Sequence, residues 1–283
     1  MQKNDDIVLD ELKICYLADD KVLAPLGMVE AGEFADIFGY RFYRLTNDRF
    51  RFFYEITSAG TPVAQFKYGH YTDQEDKATH VFYKVLNPIL YDQEKLRQAL
   101  DLPARMGLAF NNYTELDLAC DIPYNIPSVI KRLMRDKSVT TIINGKAVTD
   151  RKAILKGVMF DYSTSLNRLI NPTITLRQKK AETNKARGIT VQAYDKKAEI
   201  AQCSGKDYIL EYYDNPSHLY RLEVRIPYQE IKDYFANRKI TPGLETIFDS
   251  MALRDMFLYH LGSVIRFSRG RRKIPWDGLL RMQ

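Results

Sequence analysis

Alternation with period two is written most clearly into YTELDLACD, residues 113–121. Glu115, Asp117, Ala119 and Asp121 fall on one side of an extended chain, and Leu116, Leu118 and Cys120 on the other. This predicts a half-buried β-strand with an apolar back and an acidic front. Two later segments repeat the pattern. In ITVQAYDKKAE (Ile189 to Glu199), Thr190, Gln192, Tyr194 and Lys196 share one face, with Ile189, Val191 and Ala193 behind. In LYRLEVRIP (Leu219 to Pro227), Arg221, Glu223 and Arg225 stand in front of Tyr220, Leu222, Val224 and Ile226. Strands in one sheet lie roughly 4.8 Å apart. Paired, the three would gather carboxylates, a tyrosine and cations on one patch.

The same reading carries along the rest of the chain. The first forty residues give short apolar pieces and EAGEFADIFG, expected as a short helix. Tyr40 to Leu45 and Phe50 to Ile56 flank Thr46-Asn47-Asp48-Arg49, a hairpin composition, and Pro62 to Tyr68 follows a Ser-Ala-Gly turn. These strands are crowded with Phe and Tyr. Such rings either fill a core or form a stacking surface for unpaired bases, and the pattern leaves both open. A strand is expected over His80 to Leu90, then a helix capped by Asp92 to about Leu100. Pro127 suits the first turn of a helix to about Arg135. Asn144-Gly145 predicts a two-residue hairpin within Thr140 to Val148. Gly157 to Tyr162 and Thr173 to Arg177 read as strands, Tyr228 to Asn237 and Gly243 to about Phe267 as helices.

The expected fold class is therefore α+β: a largely antiparallel central sheet with helices packed on one face, and a helical C-terminal region. The expected division is an acidic N-terminal segment 1–38, a sheet domain 39–227 carrying the chemistry, and a helical region 228–283 with a basic tail.

Composition narrows the setting. The chain has 283 residues, 45% of them hydrophobic, and a net charge of +6. No apolar run approaches the roughly 20 residues that cross a bilayer, so no membrane role is expected. The acidic start resembles neither a signal nor a transit peptide. Three scattered cysteines, Cys15, Cys120 and Cys203, fit a reducing cytoplasm. The charge is uneven: residues 1–36 hold 3 Lys/Arg against 9 Asp/Glu, which leaves 39 against 27 in the remainder. A basic body favours a polyanionic partner. Arg177, Lys179, Lys180, Lys185 and Arg187 would form a hairpin tip just before Tyr194, and Arg269, Arg271 and Arg272 stand in a basic tail. Both are candidate DNA contacts.

Absent motifs restrict the chemistry further. The chain lacks a phosphate-binding G-x-x-x-x-G-K-[ST] loop and a dinucleotide G-x-G-x-x-G. Its four histidines (His70, His80, His218, His260) show neither H-x-H nor H-E-x-x-H spacing. His260 reads as a packing residue of a helix. Carboxylates and tyrosine remain. Asp117, Asp121 and Glu223 offer hard oxygen donors suited to Mg²⁺ or Mn²⁺. A tyrosine with an unperturbed pKa of about 10 needs help to attack at neutral pH. Lys196 can favour the phenolate, and Arg221 and Arg225 can neutralise charge building on a phosphate.

ELDLACD, AYDKKAE and LYRLEVRI, in this order, resemble the trans-acting replication initiation factors of small rolling-circle plasmids and filamentous phages. The match covers about Tyr113 to Ile226. By position, Asp117 and Asp121 correspond to the acids of the first motif, Tyr194, Asp195, Lys196 and Glu199 to the second, and Arg221 and Glu223 to the third. The chain departs from the family at Glu115 and Gln192, where arginines are usual, and in TITLRQKK. The resemblance implies nicking of one DNA strand at an origin hairpin and a 5′-phosphotyrosine. It also implies a free 3′ hydroxyl, a divalent metal and a homodimer, with a host helicase as a further partner.

The expected roles are then Tyr194 as nucleophile (Tyr162 as second choice), Lys196 and Arg221 as its support, and Asp117, Asp121 and Glu223 as metal ligands. A non-catalytic DNA-binding protein that keeps the sheet and uses the basic tail is the alternative.

Overall fold

The computed structural model describes residues 7–70, 79–148, 174–177 and 188–281. The strands in chain order are Ile7–Ala18 (β1), Phe34–Ile37 (β2), Tyr40–Leu45 (β3), Phe50–Ser58 (β4), Thr61–His70 (β5), Thr79–Val85 (β6), Ala109–Ile122 (β7), Val139–Ile143 (β8), Lys146–Ala147 (β9), Ile174–Arg177 (β10), Thr190–Asp195 (β11), Tyr220–Pro227 (β12), Ile265–Arg269 (β13) and Arg272–Ile274 (β14). The helices are Asp20–Gly27 (α1), Asn87–Leu90 (α2), Gln93–Arg105 (α3), Ile126–Arg135 (α4), Lys196–Glu199 (α5), Asp207–Tyr212 (α6), Tyr228–Arg238 (α7), Ser250–Val264 (α8) and Trp276–Leu280 (α9).

The fold is α+β. A large sheet has the hydrogen-bonded order β10-β11-β12-β7-β1-β6-β5-β4-β3-β2, and a smaller one the order β14-β13-β8-β9. Every strand pair with a described register is antiparallel. The chain divides into two compact units. One comprises Leu9–Leu116 and Phe235–Thr246; the other comprises Met1–Val8, Asp117–Tyr234 and Ile247–Gln283.

In the first unit, alternation sorts the aromatic residues. Tyr54, Phe66, Tyr83 and Ile14 are cross-strand partners in one row through β4, β5, β6 and β1, and all are buried. The helices lie on this face: the Tyr54 hydroxyl donates to the Leu26 carbonyl of α1 at 2.6 Å, and the Tyr83 hydroxyl to the Ala99 carbonyl of α3 at 2.7 Å. Buried phenols need such acceptors. Asp92 caps α3 as expected, accepting from the amides of Glu94 and Lys95.

In the second unit, Asn144 and Gly145 turn β8 into β9 with φ of 49° and 78°. Positive φ at both central residues is what a two-residue hairpin requires. β13 pairs with β8, and the Trp276 indole N–H donates to the Ile265 carbonyl at 2.9 Å.

Several elements differ from the sequence reading. Of the N-terminal apolar pieces, Ile14 to Leu17 belongs to a twelve-residue strand, β1, internal to the large sheet, and Val22 to Leu26 lies in α1. EAGEFADIFG is not a helix; it turns at Gly32 and Gly39, both at positive φ, and lays down β2 between them. The strand expected to Leu90 stops at Val85, because Pro88 starts the short α2. The expected helix from Gly243 begins at Ser250, where Asp249 accepts from the amides of Met251 and Ala252. It ends at Val264, where pairing with β8 draws the next residues into β13. The basic tail is therefore a β-hairpin, with Arg269 opposite Arg272. The strand expected at Gly157 to Tyr162 lies outside the described residues.

His260 sits in α8, 1% exposed, against the rings of Tyr234 and Tyr259 at 5.6 and 5.1 Å. Neither ring nitrogen has a hydrogen-bond partner among the described residues. Burial lowers its pKa from 6.5 to about 4. The folded state thus holds His260 neutral where the unfolded chain would protonate it. Its contribution is present above pH 6.5 and falls away as the pH drops towards 4, by about 3 kcal/mol in all. Chemical denaturation at several pH values is expected to show this loss in the wild type and its absence in His260→Phe.

Candidate functional site

The three motif segments do meet. β12 lies between β11 and β7, and β11, β12 and the Asp117–Ile122 part of β7 belong to the second unit. On β11 and β12 the cross-strand partners are Tyr194 and Arg221, Gln192 and Glu223, and Thr190 and Arg225. On β10, Thr175 stands opposite Gln192. The alternating residues of the sequence reading therefore do share one face of the sheet. The opposite face, with Leu118, Cys120, Val191, Leu222, Val224 and Ile226, is buried as expected.

The polar face is buried as well, which the acidic-front reading did not foresee. Asp117, Asp121, Arg221 and Glu223 are 2%, 1%, 0% and 5% exposed, and Tyr194 is 5% exposed. Charge taken out of water must be met by charge or hydrogen bonds. Arg221 meets Asp121 through two bonds, Nε to Oδ1 at 2.7 Å and Nη2 to Oδ2 at 2.5 Å. Arg225 grips Asp117, with Nε at 2.9 Å and Nη2 at 2.6 Å from Oδ2. Forked guanidinium–carboxylate pairs of this kind are the strongest charge-assisted contacts available to side chains. The Arg225 side chain remains 47% exposed and places Nη2 3.8 Å from Glu223 Oε1.

The Tyr194 hydroxyl donates to Glu223 Oε2 at 2.9 Å. Glu223 is not its direct cross-strand partner but the diagonal neighbour, a distance that a long aromatic side chain spans. Lys196 lies beyond the strand, contrary to the expected continuation to Glu199. The Asp195 carboxylate accepts from the Ala198 amide at 2.9 Å, which ends β11 and starts α5. Lys196 is 2% exposed, pairs with Glu199 at 2.8 Å, and holds its ammonium 5.7 Å from the centre of the Tyr194 ring.

Glu115 and Gln192, two of the departures from the family pattern, have partners of their own. Glu115 accepts from Lys13 at 2.6 Å within the first unit. Gln192 donates to the Thr175 hydroxyl at 3.4 Å. Thr175, 3% exposed, joins this face although the sequence reading gave it no role; its signal is its place in the expected strand that becomes β10.

Asp117, Asp121 and Glu223 do not together form a donor set that fits a divalent ion. Two are forked by arginine and the third accepts from Tyr194. Among the described residues, no group of three or more His, Cys, Asp or Glu side chains is arranged to hold a metal.

Of the expected DNA contacts, Lys179, Lys180, Lys185 and Arg187 lie outside the described residues, as does Tyr162. Arg177 ends β10. Arg271 and Arg272 are exposed near the turn of the C-terminal hairpin, and Arg269, 62% exposed, pairs with Asp136 at 3.1 Å.

Comparison with protein-family models gives no match, and comparison with curated proteins gives none. Among solved structures, the chain is similar to a rolling circle replication initiator protein from Geobacillus stearothermophilus. The identity is 14%, the likeness covers 97% of this chain and 95% of that one, and the TM-score is 0.43. A likeness of that degree carries no argument about fold or chemistry.

The buried pairing has a consequence for stability. Arg221→Gln leaves Asp121 buried without its cation and is expected to cost about 3–5 kcal/mol. Arg221→Met combined with Asp121→Leu, which removes both charges, is expected to recover most of it. Urea unfolding of the wild type, Arg221→Gln and the double variant measures the difference.

Proposed function

We propose that the chain is a site-specific DNA nickase and strand transferase that starts rolling-circle replication or mobilisation. One observation supports this most: the hydrogen bond from the Tyr194 hydroxyl to Glu223. A nucleophile and a carboxylate base within 2.9 Å meet the geometric requirement for activating a phenol. The three motif segments, matched by position to the initiator family, supply the substrate class.

In this reading the Tyr194 oxygen attacks a DNA phosphorus as its proton passes to Glu223. The bond from phosphorus to the 3′ oxygen breaks, that oxygen takes a proton from water, and the 5′ end stays on Tyr194 as a phosphotyrosine. Arg225, half exposed beside Glu223, meets the charge that gathers on the phosphate. Arg221 acts at one remove by fixing Asp121 in the same sheet face. Lys196 sets a positive charge near the phenol ring. Because Tyr194 is 5% exposed, the cover over this face has to open before a strand can enter. The basic hairpin of Arg269, Arg271 and Arg272 would hold the flanking DNA at an origin hairpin with a single-stranded nick site. A homodimer and a host helicase complete the expected assembly. These steps use only the chain's own side chains; Mg²⁺ or Mn²⁺ is a variable of the assay.

Burial favours a second reading. The same closed face, with its forked ion pairs, also suits a scaffold, and the chain would then bind DNA through the basic hairpin without cutting it.

A supercoiled plasmid carrying an inverted repeat from beside the coding region separates the two, assayed with Mn²⁺, Mg²⁺ or excess chelator. Nicked circles and a covalent protein–DNA adduct are expected with the wild type. Tyr194→Phe should lose both, by on the order of 10³-fold, and Arg225→Gln should slow nicking by about 10²-fold. An intact plasmid, or equal cutting by Tyr194→Phe, leaves the non-catalytic reading.

A further inference from the structure

The aromatic strands of the first unit have a second face. Cross-strand pairing there runs through Leu45, Phe53, Lys67, Phe82 and Cys15, one residue from each of β3, β4, β5, β6 and β1. A parallel row runs through Phe34, Tyr43, Glu55, Gln65, Lys84 and Lys13. The helices α1 and α3 contact the other side of these strands, through Tyr54 and Tyr83. Phe34 is 48% and Leu45 42% exposed, and Tyr43, Phe53 and Phe82 are partly exposed. Singly exposed rings are ordinary; here partly exposed rings stand in register across several strands, interleaved with polar and charged residues.

Cations are set into that surface. The Lys67 ammonium lies 4.8 Å from the centre of the Phe53 ring, with Phe82 as its partner on the opposite side. Glu11 bridges Lys13 and Lys84 at 2.8 and 2.9 Å, and Glu115 takes Lys13 as well. Lys67 makes no ion pair among the described residues. Burial and the neighbouring Lys84 and Lys13 lower its pKa, and Glu11, itself paired with those two lysines, offsets this only in part. Rings that offer flat faces, interleaved with a cation in no direct ion pair among the described residues, match a chain whose monomers each carry a flat base and a negative phosphate.

We infer that this sheet face binds single-stranded DNA, with bases stacked on Phe53, Phe82 and Tyr43 and a phosphate at Lys67. Gln65 and Glu55, in the adjacent row, offer hydrogen-bonding groups to base edges. A duplex hides its base faces and does not suit such a surface. This binding needs no covalent chemistry and does not depend on Tyr194.

The experiment is fluorescence anisotropy with the full chain and a labelled mixed-sequence oligonucleotide, offered as a single strand, as a duplex and as an abasic strand. Lys67→Glu and Phe53→Ala are each expected to weaken single-strand binding about tenfold, with unchanged circular dichroism. The duplex and the abasic strand should bind more weakly than the base-bearing strand. A 5-iodouracil strand should crosslink to peptides of β4 to β6, a readout independent of any loss of folding in the variants. The inference is overturned if the abasic strand binds as tightly as the base-bearing one, or if crosslinks fall only on the C-terminal hairpin. It also fails if Leu45→Lys converts a dimer to monomers with DNA binding unchanged, which would make the face a contact between copies. Failure of nicking with this binding intact would count against Tyr194 alone.

Discussion

Two aspartates buried in one sheet face, Asp117 and Asp121, oblige the structure to bring cations to them. The cations come from the neighbouring strand, where Arg221 and Arg225 are spaced four residues apart, as the aspartates are. Alternation puts all four side chains on the same side, so pairing and register support each other: a one-residue slip of β12 would turn both arginines to the apolar face. With those contacts fixed, Glu223 between the two arginines can face neither aspartate as a partner. It takes the Tyr194 hydroxyl instead, and so the candidate nucleophile is positioned by ion pairs it does not join.

The same rule, that each residue of a strand commits to one side, governs the first unit with the opposite outcome. There, one side collects Tyr54, Phe66 and Tyr83 under helices, and the two tyrosine hydroxyls find backbone carbonyls. The other side keeps rings and lysines partly in contact with solvent. The crowding of Phe and Tyr in the sequence thus has two answers, a core and a surface, set by odd and even positions in the same strands.

Much of the sheet was legible because its signals are local. The turn residues 46–49, the Asn144-Gly145 hairpin, the Asp92 cap and the motif strands each rest on neighbours in sequence, and each is found where expected except that β11 ends at Asp195. The departures come from long-range competition. β1 shows in the sequence only as the apolar piece Ile14 to Leu17, because Asp10, Glu11 and Lys13 interrupt its earlier half; Glu11 and Lys13 find their partners Lys84 and Glu115 on neighbouring strands. The C-terminal helix ended early because β8, more than a hundred residues away, offered hydrogen bonds to Ile265–Arg269.

At the candidate site the division is similar. Sequence alone determined which residues share a face: Asp117 with Asp121, Tyr194 with Gln192, and Arg221 with Glu223 and Arg225. Period two requires it wherever a strand forms. Only the tertiary structure decided that this face is closed from water and that its aspartates answer to arginines rather than converging as a donor set. It also decided that Lys196 leaves the strand to pair with Glu199. Those outcomes depend on strand order, on register and on which side chains lose their water, and none of these is encoded by the spacing of residues within a single segment.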